Sequence, residues 1–219
     1  GVPHSRRVEE FREKMRSICR IVAAGDFAPE RYLAYDEREP AGLLIAADAG
    51  YFHLKKLGFL PDLFVGDADS LGFRPTDTQC VILPTQKDDT DTLSAVREGL
   101  KRGFTDFELF GALGGRRFSH SLANLQTLLF LKKQGASGCI VDADCTVRVL
   151  QNERVPVGDA AYFSVFAATE TATVSIFGAK YPVEGQILSA DFPLGTSNEP
   201  RGEAVVTAEN GIVFLVTEP

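Results

Sequence analysis

The 219-residue chain contains no tryptophan and a single methionine. Its four cysteines are scattered, with neither a CxxC pair nor a short ligand spacing, which argues against a structural zinc site or a disulfide framework. No apolar run approaches the roughly 18 residues that cross a bilayer, so no membrane-spanning helix is expected. Basic residues are also scarce: 23 Lys and Arg stand against 30 Asp and Glu, giving a net charge of -7 at pH 7. This shortage of positive charge argues against a nucleic-acid binder and against a polybasic membrane-surface protein.

The start of the chain is polar and charged and lacks the apolar core of a secretory signal. The first strand-like segment begins only at Ile18, and Met15 is the sole methionine. We therefore expect the folded domain to begin near Met15, residues 1–14 to be an extension, and the protein to be cytoplasmic.

Up to about residue 145, short apolar runs alternate with segments of helical periodicity. The strand candidates are Ile18–Ala24, Leu43–Ala47, Leu63–Val65, Cys80–Leu83, Phe107–Phe110 and Cys139–Val141. They are apolar on both faces and bounded by Gly, Pro or Asp, as buried parallel strands tend to be. One helix is expected after Thr90 and another before Gly135. The pattern predicts an α/β fold in which residues 15–145 form a Rossmann-like domain with a parallel sheet.

After residue 145 the alternation with helices stops. The strand candidates there are Val147–Leu150, Ala161–Phe166, Thr173–Phe177, Ala204–Thr207 and Ile212–Val216. Five short strands separated by turn residues predict a small all-β sandwich over residues 146–219.

The acidic excess is concentrated in segments that follow predicted strands. These segments are Asp48-Ala49-Gly50, Gly66-Asp67-Ala68-Asp69-Ser70 and Gln86-Lys87-Asp88-Asp89-Thr90-Asp91. If the strands are parallel neighbours, all three segments open on one edge of the sheet, where ligands bind in α/β proteins. Carboxylates converging there repel one another unless a cation lies between them, and oxygen ligands suit Mg²⁺. The pattern therefore favours a magnesium site.

Simpler interpretations exist for each acidic segment alone. The last aspartates could merely favour a helix N-terminus, by about 0.3–1 kcal/mol each. Asp67 and Asp69 could be ordinary turn residues. Asp62 and Asp77 are expected to be solvated loop charges without a role in the site.

A glycine-rich segment, residues 111–120, follows the predicted strand Phe107–Phe110 and precedes a helix. Its glycines would let backbone N–H groups approach a phosphate at the helix N-terminus, and Arg116 and Arg117 add positive charge. It is neither a Walker A loop, since no GK[ST] follows, nor a good dinucleotide fingerprint, and a purely structural turn stays possible. Of the histidines, His120 is a plausible ligand-side residue, whereas His53 is expected to be a surface helix residue.

Taken in order and spacing, these motifs resemble those of the thiamin pyrophosphokinase (thiamin diphosphokinase) family. Two further motifs, Gly178-Ala179-Lys180-Tyr181-Pro182 and Thr196-Ser197-Asn198, extend the resemblance over nearly the whole chain. The resemblance implies an N-terminal α/β domain, a C-terminal β-sandwich, and transfer of pyrophosphate from ATP to the thiamin hydroxyl, giving thiamin diphosphate and AMP. It also implies a homodimer in which the thiamin site lies between the α/β domain of one subunit and the β domain of the other.

The resemblance further implies roles for individual residues. Those implied in Mg²⁺ binding are Asp67, Asp69 and Asp91. Those implied in catalysis are Asp48, Asp88 and Asp91, with Asp88 near the reacting hydroxyl. Those implied in ATP binding are Lys87, Gly114, Gly115, Arg116, Arg117 and His120. Those implied in thiamin binding are Asp48, Ser197 and Asn198.

The chain departs from the family pattern in the glycine-rich segment. Similar enzymes carry G-R-x-D-H, so Arg117 is the matching arginine counted back from His120, whereas Arg116 matches counted forward from the glycines. Ser119 replaces the acid, and Ala68 stands where Phe is common. Two rival functions remain: a DxD-type Mg²⁺-dependent glycosyl- or nucleotidyltransferase, and a non-catalytic ATP-binding regulator.

Overall fold

The computed structural model describes residues 17–67, 75–84 and 89–219. The chain divides into two compact units between Ala143 and Asp144, two residues before the boundary expected from the sequence. The expected extension, residues 1–14, lies outside the described residues. Among the described residues, no helix is both long enough and apolar enough to cross a membrane.

The first unit is α/β. Its strands are β1 Ile18–Val22, β2 Leu43–Ala47, β3 Leu63–Gly66, β4 Gln79–Ile82, β5 Asp106–Phe110 and β6 Ser137–Val141. Its helices are α1 Pro29–Arg38, α2 Gly50–Lys56, α3 Asp91–Lys101 and α4 Phe118–Lys133. All six strands and the two longer helices match the sequence expectation within a few residues. Helix α1 was not expected, because it buries only Tyr32. Helix α2 has only seven residues, and the sequence predicted it only through the expectation that His53 lies on a helix.

The six strands of this unit are parallel and lie in the order β4-β3-β2-β1-β5-β6. The chain builds the sheet outward from β1 to β4 and then returns to the other side of β1 with β5. The direction of winding therefore reverses between β1 and β5. In open α/β sheets such a switch point leaves a crevice at the carboxyl ends of the strands, where ligands bind.

Helices cover both faces of this sheet, because successive side chains of a strand point to opposite faces. On one face Val22 and Phe110 pack with Tyr32 of α1 in a buried cluster. On the other face Gly99 of α3 lies so close to Phe107 and Cys19 that a Cβ there would be 2.6 Å and 2.8 Å from them. Both faces being apolar explains why these strands appear in the sequence as continuous hydrophobic runs.

The second unit contains antiparallel strands. They are β7 Thr146–Leu150, β8 Glu153–Pro156, β9 Tyr162–Ala167, β10 Thr171–Ala179, β11 Val183–Ser189, β12 Pro200–Glu209 and β13 Val213–Glu218. Strand β13 pairs with β7 and β9, while β10 pairs with β11 and β12, and β12 also pairs with β8. One buried cluster contains Phe163 and Leu215 from the first set of strands and Val174 and Val206 from the second.

The sequence expectation missed β8 and β11. Strand β8 has four residues and no fully buried side chain, and in β11 only Leu188 is buried. Strands with so few buried side chains lack the apolar alternation on which the expectation rested.

Candidate active site

A cavity of about 360 Å³ lies at the switch point of the parallel sheet. It is lined by the residues that follow β1, the end of β2, the first residues of α3, and the glycine-rich segment between β5 and α4. Two of the segments singled out in the sequence, around Asp48 and Asp91, therefore meet the glycine-rich segment in one cavity.

Asp48 ends β2 in a strained backbone conformation. Its φ is 51°, in the left-handed region that non-glycine residues rarely adopt, and its N–H donates to the Val65 carbonyl at 2.9 Å. Two residues later, a Cβ on Gly50 would lie 1.9 Å from the Val22 carbonyl oxygen. The glycine therefore allows the start of α2 to approach the end of β1. Backbone strain of about 1–3 kcal/mol is typical of residues held in place for function.

Asp91 is the first residue of α3 and lines the cavity. The N-cap is Thr90, whose hydroxyl accepts a hydrogen bond from the Leu93 N–H at 3.2 Å. The neighbouring Asp89 forms an ion pair with Arg97 at 2.9 Å. The structure thus separates two aspartates that the sequence presents as equivalent: Asp91 belongs to the cavity wall and Asp89 to a surface ion pair.

The oxygen donors of the cavity suit magnesium. Asp48 and Asp91 supply carboxylates and Thr90 a hydroxyl, whereas Mg²⁺ is usually held by one or two carboxylates together with water and substrate phosphates. Among the described residues, no three His, Cys, Asp or Glu side chains form a group that could hold a metal on their own. The donor set of the cavity therefore fits Mg²⁺ that also has water or phosphate oxygens as ligands.

Of the other expected ligands, only Asp67 is among the described residues. Asp67 directly follows β3 but is not among the described residues that line the cavity. Asp69, Lys87 and Asp88 lie outside the described residues.

The conformation of the glycine-rich segment depends on left-handed glycines and on hydrogen bonds that its carbonyl oxygens accept from other residues of the protein. Gly111, Gly114 and Gly115 have φ values of 60°, 67° and 76°. The carbonyl oxygens at positions 111, 112 and 113 accept hydrogen bonds from the Gly25 N–H (2.7 Å), the Asn124 amide (2.7 Å) and the Asp26 N–H (3.0 Å) respectively. Because these three carbonyl oxygens are hydrogen-bonded within the protein, they repel an anion near the segment less strongly.

The start of α4 contributes a positively charged side chain, that of Arg117, to the cavity wall. Arg117, the N-cap of that helix, and His120 both line the cavity, as does Gly114. Arg116 and Gly115 are not among the described residues of the lining. The position of Arg117 at a helix N-terminus favours it over Arg116 as the phosphate-side arginine.

The loop after β1 is a part of the site that the sequence analysis missed. Ala23, Ala24 and Gly25 line the cavity. Small residues ending in an aspartate, Asp26, follow the first strand, which is the same signal that marked the loops after β2 and β3.

His53 was expected at the surface of a helix, and this was wrong in part. It lies on α2 but is half-buried, with its ring stacked on Phe27 at 4.8 Å between centroids. Its Nε2 lies 3.0 Å from the Gly25 carbonyl oxygen. Burial of the imidazole lowers the pKa of His53 below 6.5.

Asp62 and Asp77 were expected to be merely solvated, and both instead make specific contacts. The Asp62 carboxylate accepts a hydrogen bond from the Leu44 N–H at 2.8 Å. Asp77 accepts one from the Tyr51 hydroxyl and forms an ion pair with Lys55, both at 2.9 Å. The hydrogen bond from Lys55 lowers the pKa of Asp77. These aspartates therefore help to hold the loops around β2 and β3.

In the second unit, Ser197 and Asn198 follow a turn next to β9. Ser197 is exposed, with a left-handed φ of 57°, and its N–H donates to the Ser164 hydroxyl at 3.0 Å. Asn198 is buried, and its side chain bonds to the Tyr181 N–H and carbonyl at 3.1 Å and 2.8 Å. Asn198 and Tyr181 also line a cavity of about 230 Å³ within this unit.

Known families and structures resemble both units. The model of the thiamin pyrophosphokinase catalytic domain matches residues 36–140, and the model of the thiamin pyrophosphokinase vitamin B1 binding domain matches residues 144–213. No curated protein sequence matched the chain.

Solved structures of the same fold come from bacteria and fungi. A thiamine pyrophosphokinase from Bacillus subtilis superposes with a TM-score of 0.79 at 22% identity, over 92% of this chain and 98% of that chain. One from Geobacillus thermodenitrificans gives a TM-score of 0.77 at 26% identity, over 92% and 97%. One from Candida albicans gives 0.73 at 13% identity, over 94% and 90%.

The two family models follow each other along the chain and cover most of both units, although the match begins only at residue 36, after β1 and most of α1. The resemblance inferred from the motifs is therefore confirmed: the chain belongs to the thiamin pyrophosphokinase family of enzymes.

Proposed function

We propose that this thiamin diphosphokinase transfers pyrophosphate from Mg²⁺-bound ATP to the thiamin hydroxyl at the switch-point cavity. The observation that carries the proposal is the composition of that cavity. Carboxylates of Asp48 and Asp91 line it together with Gly114, Arg117 and His120. A polyphosphate bound with a divalent cation needs both kinds of group, because the cation seeks oxygen ligands and the phosphates seek N–H groups and positive charge.

Magnesium is the proposed cofactor, with Asp67, Asp69 and Asp91 as its protein ligands. The motif assigns all three, and the cavity supports Asp91 directly. When bound, Mg²⁺ would supply neutralisation of the negative charge on the phosphate oxygens. Asp48, across the strand end from Val65, would orient the bound substrates.

The ATP phosphates are proposed to bind at the glycine-rich segment and the start of α4. Those residues are Lys87, Gly114, Gly115, Arg116, Arg117 and His120. Backbone N–H groups and a guanidinium at a helix N-terminus would offset the charge that develops on the departing AMP. Of the two arginines, we assign the direct contact to Arg117 because it lines the cavity.

The reaction itself requires one proton acceptor. We assign it to Asp88, whose place in the Lys87–Asp91 motif is the support for this role. The thiamin hydroxyl oxygen bonds to the β-phosphorus of ATP, the bond between that phosphorus and the oxygen shared with the α-phosphate breaks, and the hydroxyl proton passes to the Asp88 carboxylate. AMP leaves with the bridging oxygen. The chain otherwise contributes position and charge, as is general for phosphoryl transfer.

Thiamin is proposed to contact Asp48, Ser197 and Asn198, with the last two supplied by the second unit of a partner copy in a homodimer. The match of residues 144–213 to a vitamin B1 binding domain supports this assignment. The strained backbone of Ser197 and the exposed Tyr181 beside Asn198 support it as well. The Asn198 amide is also bonded to the Tyr181 backbone, so Asn198 would hold the Tyr181 turn in shape in addition to contacting thiamin.

We also propose a Rossmann-like fold for the first unit and a β-sandwich for the second. The parallel order of the first unit supports the term Rossmann-like, and the core shared by its two sets of strands supports the term β-sandwich for the second. We also propose that the enzyme works in the cytoplasm as a homodimer.

One assay tests the proposed reaction. The purified protein is incubated with ATP, thiamin and Mg²⁺, and the products are separated by chromatography. Equal amounts of thiamin diphosphate and AMP, lost when EDTA is added, are expected. Release of ADP instead of AMP, transfer from a nucleotide sugar, or ATP binding without turnover would contradict the proposal, the last two in favour of a glycosyltransferase and a regulator respectively.

A further inference from the structure

The loops that follow β1 and β5 are hydrogen-bonded to each other beside the cavity. The Gly25 N–H donates to the Gly111 carbonyl at 2.7 Å, and the Asp26 N–H donates to the Leu113 carbonyl at 3.0 Å. The connection also runs in the opposite direction, because the Gly115 N–H donates to the Asp26 carboxylate at 3.0 Å. Asp26 therefore contacts the glycine-rich segment through its backbone and through its side chain.

The Asp26 carboxylate explains a feature of the glycine-rich segment. A Cβ on Gly114 would lie 2.0 Å from Asp26 Oδ2, so the side chain of Asp26 fills the space that any other residue at position 114 would need. Gly114 and Gly115 both have left-handed backbone here, but glycine lacks a Cβ and can adopt many other conformations in the absence of a contact that selects one. The hydrogen bond to Gly115 is such a contact.

The loop that contains Asp26 packs against α2. The His53 ring lies 3.0 Å from the Gly25 carbonyl and stacks on Phe27, so residues on both sides of Asp26 are packed against α2. Because the loop that carries the Asp26 carboxylate is packed in place, its hydrogen bond can restrict the backbone conformation of the glycine-rich segment.

We propose that Asp26 is a positioning residue for nucleotide binding. Its carboxylate holds Gly114 and Gly115 in the arrangement that receives the phosphates of ATP, and so removes conformational cost from the binding step. The proposal deepens, and rests on, the proposed role of the glycine-rich segment. The same carboxylate also repels phosphate, and in this arrangement the positioning effect outweighs the repulsion, because the charge is already engaged by the Gly115 N–H.

The test compares three variants with the wild type. Steady-state kinetics give kcat and separate KM values for ATP and thiamin, and calorimetry gives Kd for Mg²⁺-ATP. Asp26→Ala is expected to raise KM and Kd for ATP about tenfold, as for loss of one charge-assisted hydrogen bond, with KM for thiamin and Tm close to wild type. Asp26→Asn keeps an acceptor oxygen and is expected to regain most of the lost affinity. Glu37→Ala, which removes an exposed carboxylate from α1, is the charge-matched control and should leave all values unchanged.

Three results would overturn the role of Asp26. Tighter ATP binding by Asp26→Ala would mean that repulsion dominates, unchanged binding would mean that the contact does not matter, and equal losses in the Ala and Asn variants would exclude the acceptor role. These outcomes are separate from failure of the proposed function, which shows in the wild type as absence of thiamin diphosphate.

Discussion

Arg20 and Glu108 lie opposite each other on the central strands β1 and β5, and both Nε and Nη2 of the arginine donate to Glu108 Oε2, at 2.9 Å and 2.7 Å. Arg20 is 0% exposed. Its other contacts, to the Asp36 carboxylate at 2.7 Å and the Glu39 carbonyl at 2.9 Å, reach the end of α1. One buried guanidinium therefore connects α1 to two of the strands whose ends line the switch-point cavity.

Removal of Arg20 alone should be strongly destabilising. Arg20→Leu leaves the buried Glu108 carboxylate with only its 3.5 Å contact to the exposed Arg38, and breaking a buried ion pair typically costs about 3–5 kcal/mol of the free energy of unfolding. The double variant Arg20→Leu/Glu108→Leu should recover most of that loss, because no buried charge is left uncompensated. Urea denaturation measures both. A single variant within about 1 kcal/mol of wild type would contradict the importance of this pair.

Gly50 should not tolerate a side chain. Gly50→Ala places a Cβ 1.9 Å from the Val22 carbonyl oxygen, so α2 or β1 must shift, at a cost of about 3 kcal/mol. Gly58→Ala is the matched control, since that position has left-handed backbone but nothing within 4 Å, and should cost about 1 kcal/mol. Thermal and urea unfolding would show the difference, and equal losses in the two variants would disprove the steric argument.

Asp89 and Asp91, two residues apart at the start of α3, should behave differently. Asp91→Asn is expected to lower kcat about a hundredfold or more with Tm within a few degrees of wild type, because it removes a cavity carboxylate. Asp89→Asn removes only an exposed ion pair with Arg97 and should retain turnover. Wild-type activity in Asp91→Asn would remove the basis for the proposed magnesium ligand.

The adjacent arginines offer a similar comparison. Arg117→Ala should raise KM for ATP about tenfold, through loss of a charged contact at the cavity wall. Arg116→Ala should change KM for ATP much less, because Arg116 is not among the described residues that line the cavity. The opposite order in a kinetic assay would reassign the phosphate contact to Arg116.

Burial of His53 should make folding depend on pH. Its folded-state pKa is lowered below 6.5, so the unfolded chain binds the proton more readily. The stabilisation from neutral His53 is fully present above pH 6.5 and is lost as the pH falls through 6.5 towards the folded-state pKa. Between about pH 7.5 and about pH 5.5 the wild type should therefore lose more stability than His53→Gln. Equal losses, measured by urea unfolding at each pH, would contradict this.

Much of the fold was predictable from local patterns. Strands such as Leu43–Ala47 are apolar on both faces, and the helix after Thr90 carries apolar periodicity, so their local sequence agrees with their environment. The helix before Gly135 was predicted from its leucines, although Ser121, Asn124 and Thr127 are among the residues it buries and Leu122 is exposed. Helix α1 and strand β11 were missed because each buries one residue fully, Tyr32 and Leu188. Contacts with segments distant in sequence determine where α1 and β11 form, and such contacts leave little hydrophobic periodicity in the sequence.

By itself, the sequence determined the family, the parallel arrangement of the first six strands, and the loops for which the chemistry is proposed, because these depend on residue type and on order along the chain. Only the tertiary structure decided which members of those loops meet. It assigned Asp91 and Arg117 to the cavity and Asp89 to an ion pair with Arg97, although each lies within two residues of its alternative. The physical reason is that neighbouring side chains at a helix start or a left-handed turn point in different directions. Which of them faces the cavity is decided only when strands that are distant in sequence pair and form that cavity.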